Sequence, residues 1–182
     1  MKKVLVPLAP GFEELEAVTI IDLLRRAEID VTVAGLEEGA VTGSRGTRIL
    51  ADTLLAQSTD SDYDMIVLPG GLPGADNLNS DSRIHALLQQ MSDQGRYIAA
   101  ICAAPKVLAT AGLLKDKQMT SYPGSLSAIT VEGMQNTGKQ VVVDDNVITS
   151  RGPGTAMDFA LELIGLLAGE KVQKQVEDGL QR

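Results

Sequence analysis

Single counts leave one thiol and a group of carboxylates as the residues able to do chemistry in this 182-residue sequence. Cys102 is the only cysteine and His85 the only histidine. One cysteine forbids an intrachain disulfide and any cysteine-cluster zinc site, and one histidine forbids every two-histidine metal motif within one chain. No metal is expected. Cys102 lies in Ala100-Ile101-Cys102-Ala103-Ala104-Pro105, between an apolar run and a helix-starting proline. Small residues on both sides permit the tight turn of a nucleophile elbow, with alanines where hydrolase elbows use glycines. Backbone N–H groups and the positive end of a helix dipole there favour thiolate, which predicts a pKa well below the free value of about 8.5. A buried cysteine used as a small apolar residue has the same spacing. Spacing alone leaves both readings open.

Two further turns stand beside apolar runs. Pro69-Gly70-Gly71 offers backbone N–H groups to an anion near the sulfur, as an oxyanion hole does, although a plain tight turn has the same composition. Pro10-Gly11-Phe12-Glu13-Glu14-Leu15-Glu16 opens a helix where carboxylates complement the dipole. One of these glutamates, protonated by partial burial, is a candidate to share a proton with the thiol, and spacing does not choose which. The first turn lacks Gly-x-Gly-x-x-Gly, which disfavours NAD and FAD, and no cofactor is expected. His85 sits beside Gln89 off an apolar stripe and reads as a surface residue. Arg151-Gly152-Pro153-Gly154 reads either as an anion nest or as a rigid loop feeding a cap at Thr155.

These residues need elements to hold them. Apolar runs at 3–8, 64–68 and 97–101 suit strands covered on both faces, and Asp30–Leu36 forms another. A short edge strand is expected around Arg48-Ile49-Leu50. Val141–Val143 and Val147–Thr149 flank Asp144-Asp145-Asn146 as a hairpin. Helical periods follow at about 12–27, at 84–95, from Pro105 to Leu114, through Ala156–Leu167, and at 170–178. Thr155 and Asp158 suggest a capping-box variant before the fourth of these helices. Strands alternating with helices imply an α/β three-layer sandwich: a mostly parallel sheet, helices on both faces, and one domain over 1–182. Ligands in such sheets sit beyond the carboxyl ends of the strands, where all three turns fall.

Composition narrows the partners. Sixteen Lys and Arg against 24 Asp and Glu give a net charge of −8, with 3% aromatics and no Trp. Nucleic-acid binding is not expected, because phosphate backbones repel such a chain and stacking platforms are scarce. No membrane span is expected either. Pro7, Pro10 and the following glutamates make Met1–Leu8 a first strand rather than a signal peptide. A lone thiol fits a reducing cytoplasm.

The four pieces Pro10–Glu16, Val67–Gly71, Ala99–Pro105 and Thr149–Thr155 resemble, in order, the ThiJ/PfpI superfamily, most closely the branch of the parkinsonism-associated protein deglycase. The resemblance spans nearly the whole chain. It implies a flavodoxin-like fold and a homodimer. It implies a reactive Cys102, with Glu16 as the protonated carboxyl beside the sulfur and the N–H groups of Gly71 and Ala103 as an oxyanion site. It also implies action on methylglyoxal-type 2-oxoaldehydes or glycated adducts without glutathione, sulfinate-based redox sensing, and chaperone activity. One departure concerns a Thr-x-His-Pro stretch of the family, which reads Thr120-Ser121-Tyr122-Pro123 here. Tyr122 is thus an accessory hydrogen-bond donor in the place of a neutral-pH base, which leaves proton transfer mainly to Glu16 and disfavours peptide hydrolysis. The family's additional cysteines are absent near Gly43 and Leu50, so the chain holds no resolving thiol.

Overall fold

Continuous apolar runs bury on both faces of a sheet, and the strand at Lys3–Leu8 does so from Val4 onward. In a computed structural model describing residues 1–59 and 62–182, the chain runs β1 (Lys3–Leu8), α1 (Glu14–Arg26), β2 (Asp30–Gly35), β3 (Ala40–Thr42), β4 (Arg48–Leu50), β5 (Thr53–Leu54), β6 (Met65–Leu68) and α2 (Gly74–Ser80). It continues with α3 (Ser82–Asp93), β7 (Tyr97–Ile101), α4 (Pro105–Thr110), β8 (Gln118–Met119), β9 (Gln135–Asn136), β10 (Val141–Asp144), β11 (Val147–Ser150), α5 (Ala156–Ala168) and α6 (Glu170–Gly179).

Seven strands form the main sheet in the order β10-β11-β7-β6-β1-β2-β5. Neighbours are parallel except for the β10–β11 hairpin. The chain winds outward from β1 through β2, then restarts on the other side at β6. That reversal opens a crevice at the carboxyl ends of β1 and β6, the place where such sheets bind ligands. Period-two alternation divides the core. Val4, Val6 and Leu8 of β1 pack with α1 and α5, through Ile20, Leu24, Phe159 and Ile164. Leu5 points the other way, into a cluster with Ile84 and Leu88 of α3 and Leu108 of α4.

The expected α/β sandwich is what forms, with local differences. The strand expected at Arg48–Leu50 pairs antiparallel with Ala40–Thr42, outside the main sheet. The helix expected from Pro105 to Leu114 stops at Thr110, because Gly112 at φ +77° turns the chain and Leu113 N donates to Leu108 O at 3.0 Å. Thr155 precedes α5 but makes no side-chain cap to it. Its Oγ1 instead donates to Gly152 O at 2.9 Å and lies 2.7 Å from Ser150 Oγ. No helix among the described residues is long and apolar enough to cross a membrane.

Candidate active site

Cys102 follows β7 with φ +64°, a left-handed conformation that costs a non-glycine residue energy and persists where surroundings hold it. Its N–H donates to Ser150 O on β11 at 2.9 Å, and its carbonyl accepts from Tyr122 N at 2.8 Å. The elbow is thus held from both sides. Its side chain faces the Gly70-Gly71 turn after β6. A Cβ at Gly70 would lie 2.7 Å from both Cys102 Cβ and Glu16 Oε2, and one at Gly71, at φ +91°, would lie 2.4 Å from Glu13 N. Both positions need glycine for close approach, so the pair is more than a plain turn. The backbone N–H groups of Gly71 and Ala103 act on the thiol as donors that lower its pKa. The expected candidates Cys102, Gly71 and Ala103 therefore meet.

The three glutamates of the first α1 turn point three ways. Glu13 is the N-cap, its Oε2 accepting from Glu16 N at 2.8 Å. Glu14 reaches the loop between β3 and β4, accepting from Arg45 N at 2.6 Å, Thr47 N at 3.2 Å and Ser44 Oγ at 3.1 Å. Partial burial raises its pKa, but those hydrogen bonds outweigh it and hold the carboxyl below its ordinary value. Glu16 is fully buried and accepts from Gly70 N at 2.8 Å through Oε2. Its Oε1 has no hydrogen-bond partner among the described residues, and the Cys102 thiol beside it is coupled to its titration.

Burial pushes Glu16 up to about 7, against the Cys102 thiol beside it and the Gly70 N–H it accepts. Cys102 is pushed up to about 12, by burial first and then by the Glu16 charge, against the N–H groups of Gly71 and Ala103. This corrects the expectation of a depressed thiol pKa. The favourable N–H groups are present, but a sequence does not reveal the buried carboxylate opposite them. The two groups titrate as a pair, and what is strongly disfavoured is two negative charges together. When Glu16 carries the proton its charge no longer opposes the thiolate, and an O–H on Oε1 gains the sulfur as acceptor.

Other candidates fall in different places. Tyr122 is close through its backbone, while its ring is half exposed (52%) and lies against Gly152. His85 on α3 is half-buried with Nε2 2.8 Å from Asn79 O, and belongs to the α2–α3 junction. The anion-nest reading of Arg151–Gly154 fails. Arg151 N donates to Gln140 O, and Gly152 N to Thr155 Oγ1 at 3.2 Å, so those donors are already used. Sequence reasoning missed Ser150, whose carbonyl clamps the elbow, and the role of Glu14. The strand expected at Val147–Thr149, which ends next to Ser150, was the available signal for the first. Nothing local announces the second.

The chain is similar in sequence and in fold to known proteins. Protein dj-1beta of Drosophila melanogaster is 48% identical over 180 residues, covering 98% of this chain and 96% of that protein. The crystal structure of Drosophila melanogaster DJ-1beta superposes with a TM-score of 0.94 at 47% identity, over 99% of this chain and 97% of that one. The structure of oxidized Toxoplasma gondii DJ-1 matches with a TM-score of 0.94 at 40% identity, over 100% and 98% of the two chains. The glutathione-independent glyoxalase DJR-1.2 of Caenorhabditis elegans is 36% identical over 169 residues, 92% of this chain and 90% of that protein. The DJ-1/PfpI family profile matches residues 2–166, the span carrying both glycines, the elbow and the buried glutamate. On sequence and fold together, the chain belongs to the DJ-1/PfpI family.

Proposed function

We propose that the protein is a glutathione-independent glyoxalase or deglycase of small 2-oxoaldehydes such as methylglyoxal, or of their adducts, with Cys102 as nucleophile. The observation that carries this reading is the pairing of Cys102 with a fully buried carboxyl, Glu16, pushed up to about 7. A group poised near neutrality both gives and takes a proton efficiently. The name of the Caenorhabditis elegans relative supports the same class of reaction.

The thiolate adds to the aldehyde carbon, forming the S–C bond as the carbonyl π electrons move to oxygen. The N–H groups of Gly71 and Ala103 stabilise that oxygen, and it takes the proton held by Glu16 to complete a hemithioacetal, which leaves Glu16 as carboxylate. Glu16, as carboxylate, removes the hydrogen from this carbon, and a proton is returned to the neighbouring carbonyl carbon through an enediol. The result is a thioester of lactate on Cys102. Water cleaves it, so methylglyoxal plus one water becomes lactate and the thiol is regenerated. Purified protein given methylglyoxal without glutathione should form lactate, and Cys102→Ser should form none. Absence of lactate with the native protein overturns the reading.

A second reading has its own support in the oxidized state named for the Toxoplasma gondii structure. In it Cys102 is oxidised by peroxide to a sulfinate, whose oxygens take the Gly71 and Ala103 N–H groups and the Glu16 O–H, and the protein senses oxidants or acts as a chaperone. Both readings carry a homodimer. Leu15 and Val18 on α1 and Leu50 on β4 are exposed large apolar residues, and Val18 and Leu50 line one shallow cleft, the kind of face a second copy covers. Light scattering at micromolar concentration tests it. A monomer there removes the dimer from the proposal.

A further inference from the structure

The two N–H groups that act on the sulfur stand on different turns. Gly71 follows β6 and Ala103 follows β7, so their spacing depends on what ties those turns together beyond the sheet. Each turn runs into a short helix. Gly71 O accepts from Ala75 N at 2.9 Å in the first turn of α2, and Ala103 O accepts from Lys106 N at 3.3 Å in the first turn of α4. Each donor residue is thus bonded through its own carbonyl to a helix start. Neither helix has a side-chain cap there, and at 7 and 6 residues neither is held by its own length.

One ion pair joins them. Lys106 Nζ donates to Asp76 Oδ1, the only charged link between α2 and α4 among the described residues. Asp76 follows Ala75, and Lys106 itself gives the N–H to Ala103 O, so the link sits at both helix starts. The Lys106 side chain is only 17% exposed, against 55% for Asp76. Asp76 suits the first turn of a helix, but a cation in the first turn of α4 faces unpaired N–H groups. A residue set against local preference points to a role outside its own helix. We propose that the Asp76–Lys106 pair is a positioning brace, holding the turns after β6 and β7 at the spacing that lets the Gly71 and Ala103 N–H groups serve one atom. The proposal rests on the reading of those groups as donors to Cys102 and its adduct, and adds two positioning residues that act through them.

A brace and a simple pair of charges differ in sign. As charges alone, loss of Lys106 disfavours thiolate and slows its reactions, while loss of Asp76 frees the cation and speeds them. A brace is broken by either loss. Because Cys102 is the only cysteine, its alkylation by iodoacetamide at neutral pH and low salt reads the site without ambiguity. Asp76→Asn and Lys106→Met should each slow it by about threefold, within what a partly exposed ion pair permits. The double variant should be no slower than either single one, and the exchange of Asp76→Lys with Lys106→Asp should regain most of the native rate. Lys174→Met, which removes an exposed pair on α6, should change nothing. Opposite signs in the two single variants, or native rates in both, overturn the proposal. A native thiol inert to iodoacetamide would instead sink the nucleophile reading. Amide hydrogen exchange at Gly71 and Ala103 then decides the brace separately: it should quicken in both single variants, and unchanged exchange overturns it.

Discussion

The Glu16 carboxyl accepts the Gly70 N–H at 2.8 Å, joining the first helix to the turn after β6 across the point where the sheet reverses its winding. That bond fixes one oxygen of the carboxyl and leaves the other, Oε1, to the thiol. It also explains why Gly70 has no side chain: a methyl group there would occupy the space between Cys102 and Glu16.

Stability should fall with rising pH through the range where Glu16 ionises. Its pKa rises from 4.5 unfolded to about 7 folded, so its contribution is full below about 4.5 and is lost as the pH climbs to 7. The loss is on the order of 3 kcal/mol. Urea unfolding at pH 5 and pH 8 should show it in the native protein. Glu16→Gln, which does not ionise, should flatten that difference, and an equal slope in both proteins would mean that Glu16 is not the titrating group.

Proton transfer by Glu16 carries the proposed reaction. Glu16→Gln should lower lactate formation by about 10²–10⁴-fold and remove the inflection near neutral pH from its rate profile. Glu13→Gln, altered at a cap and away from the sulfur, should lose less than about tenfold, in keeping with the modest value of a cap. The reverse order would assign the carboxyl wrongly.

Gly70→Ala tests the close approach directly. The added methyl meets Cys102 Cβ and Glu16 Oε2 at 2.7 Å, and overpacking of this kind costs about 1–3 kcal/mol. Thermal unfolding should shift down, and Cys102 alkylation should slow in the protein that remains folded. Native stability with native alkylation would show that the turn has room to spare.

Tyr122→His would place an imidazole, which titrates near neutrality, where the half-exposed phenol lies. Lactate formation should rise, with peptide hydrolysis still absent. An unchanged rate, with the imidazole seen beside Cys102 in a crystal structure, would leave proton transfer to Glu16 alone.

His85→Gln should leave Cys102 alkylation and lactate formation within about twofold, since its bond to Asn79 O ties α3 to α2 and touches none of the elbow's own partners. A hundredfold loss in either rate would place His85 in the reaction.

Much of this arrangement is readable in the residues. β1, β6 and β7 are uninterrupted apolar runs, and α5 repeats Phe159, Leu163, Ile164 and Leu167 at helical spacing, so local pattern and final burial agree. The small residues around Cys102 likewise announce the elbow. α2 is different: Gly74–Ser80 has little apolar periodicity, and it packs inward through Ala75 and Leu78. Glu13, Glu14 and Glu16 all look like first-turn carboxylates, and what separates them is partners some 30 to 54 positions away in Ser44, Arg45, Thr47 and Gly70. Resemblance to a family pointed to Glu16 where helix geometry did not. The thiol's titration was misjudged for a related reason: desolvation and a facing charge belong to the folded site and have no local signature.

The clamp on the Cys102 backbone bears on how any change at the sulfur is felt elsewhere. With its N–H committed to Ser150 and its carbonyl to Tyr122, the elbow has no slack through which to relax its positive φ. An adduct or an oxidised sulfur therefore meets a rigid seat and shifts little of the main chain. With a sulfinate, what changes is electrical: a site that trades one proton between two groups becomes a permanent anion held by fixed donors. The message of such a modification is written in the local field, and a partner that reads it must sense charge at the crevice mouth rather than a moved backbone.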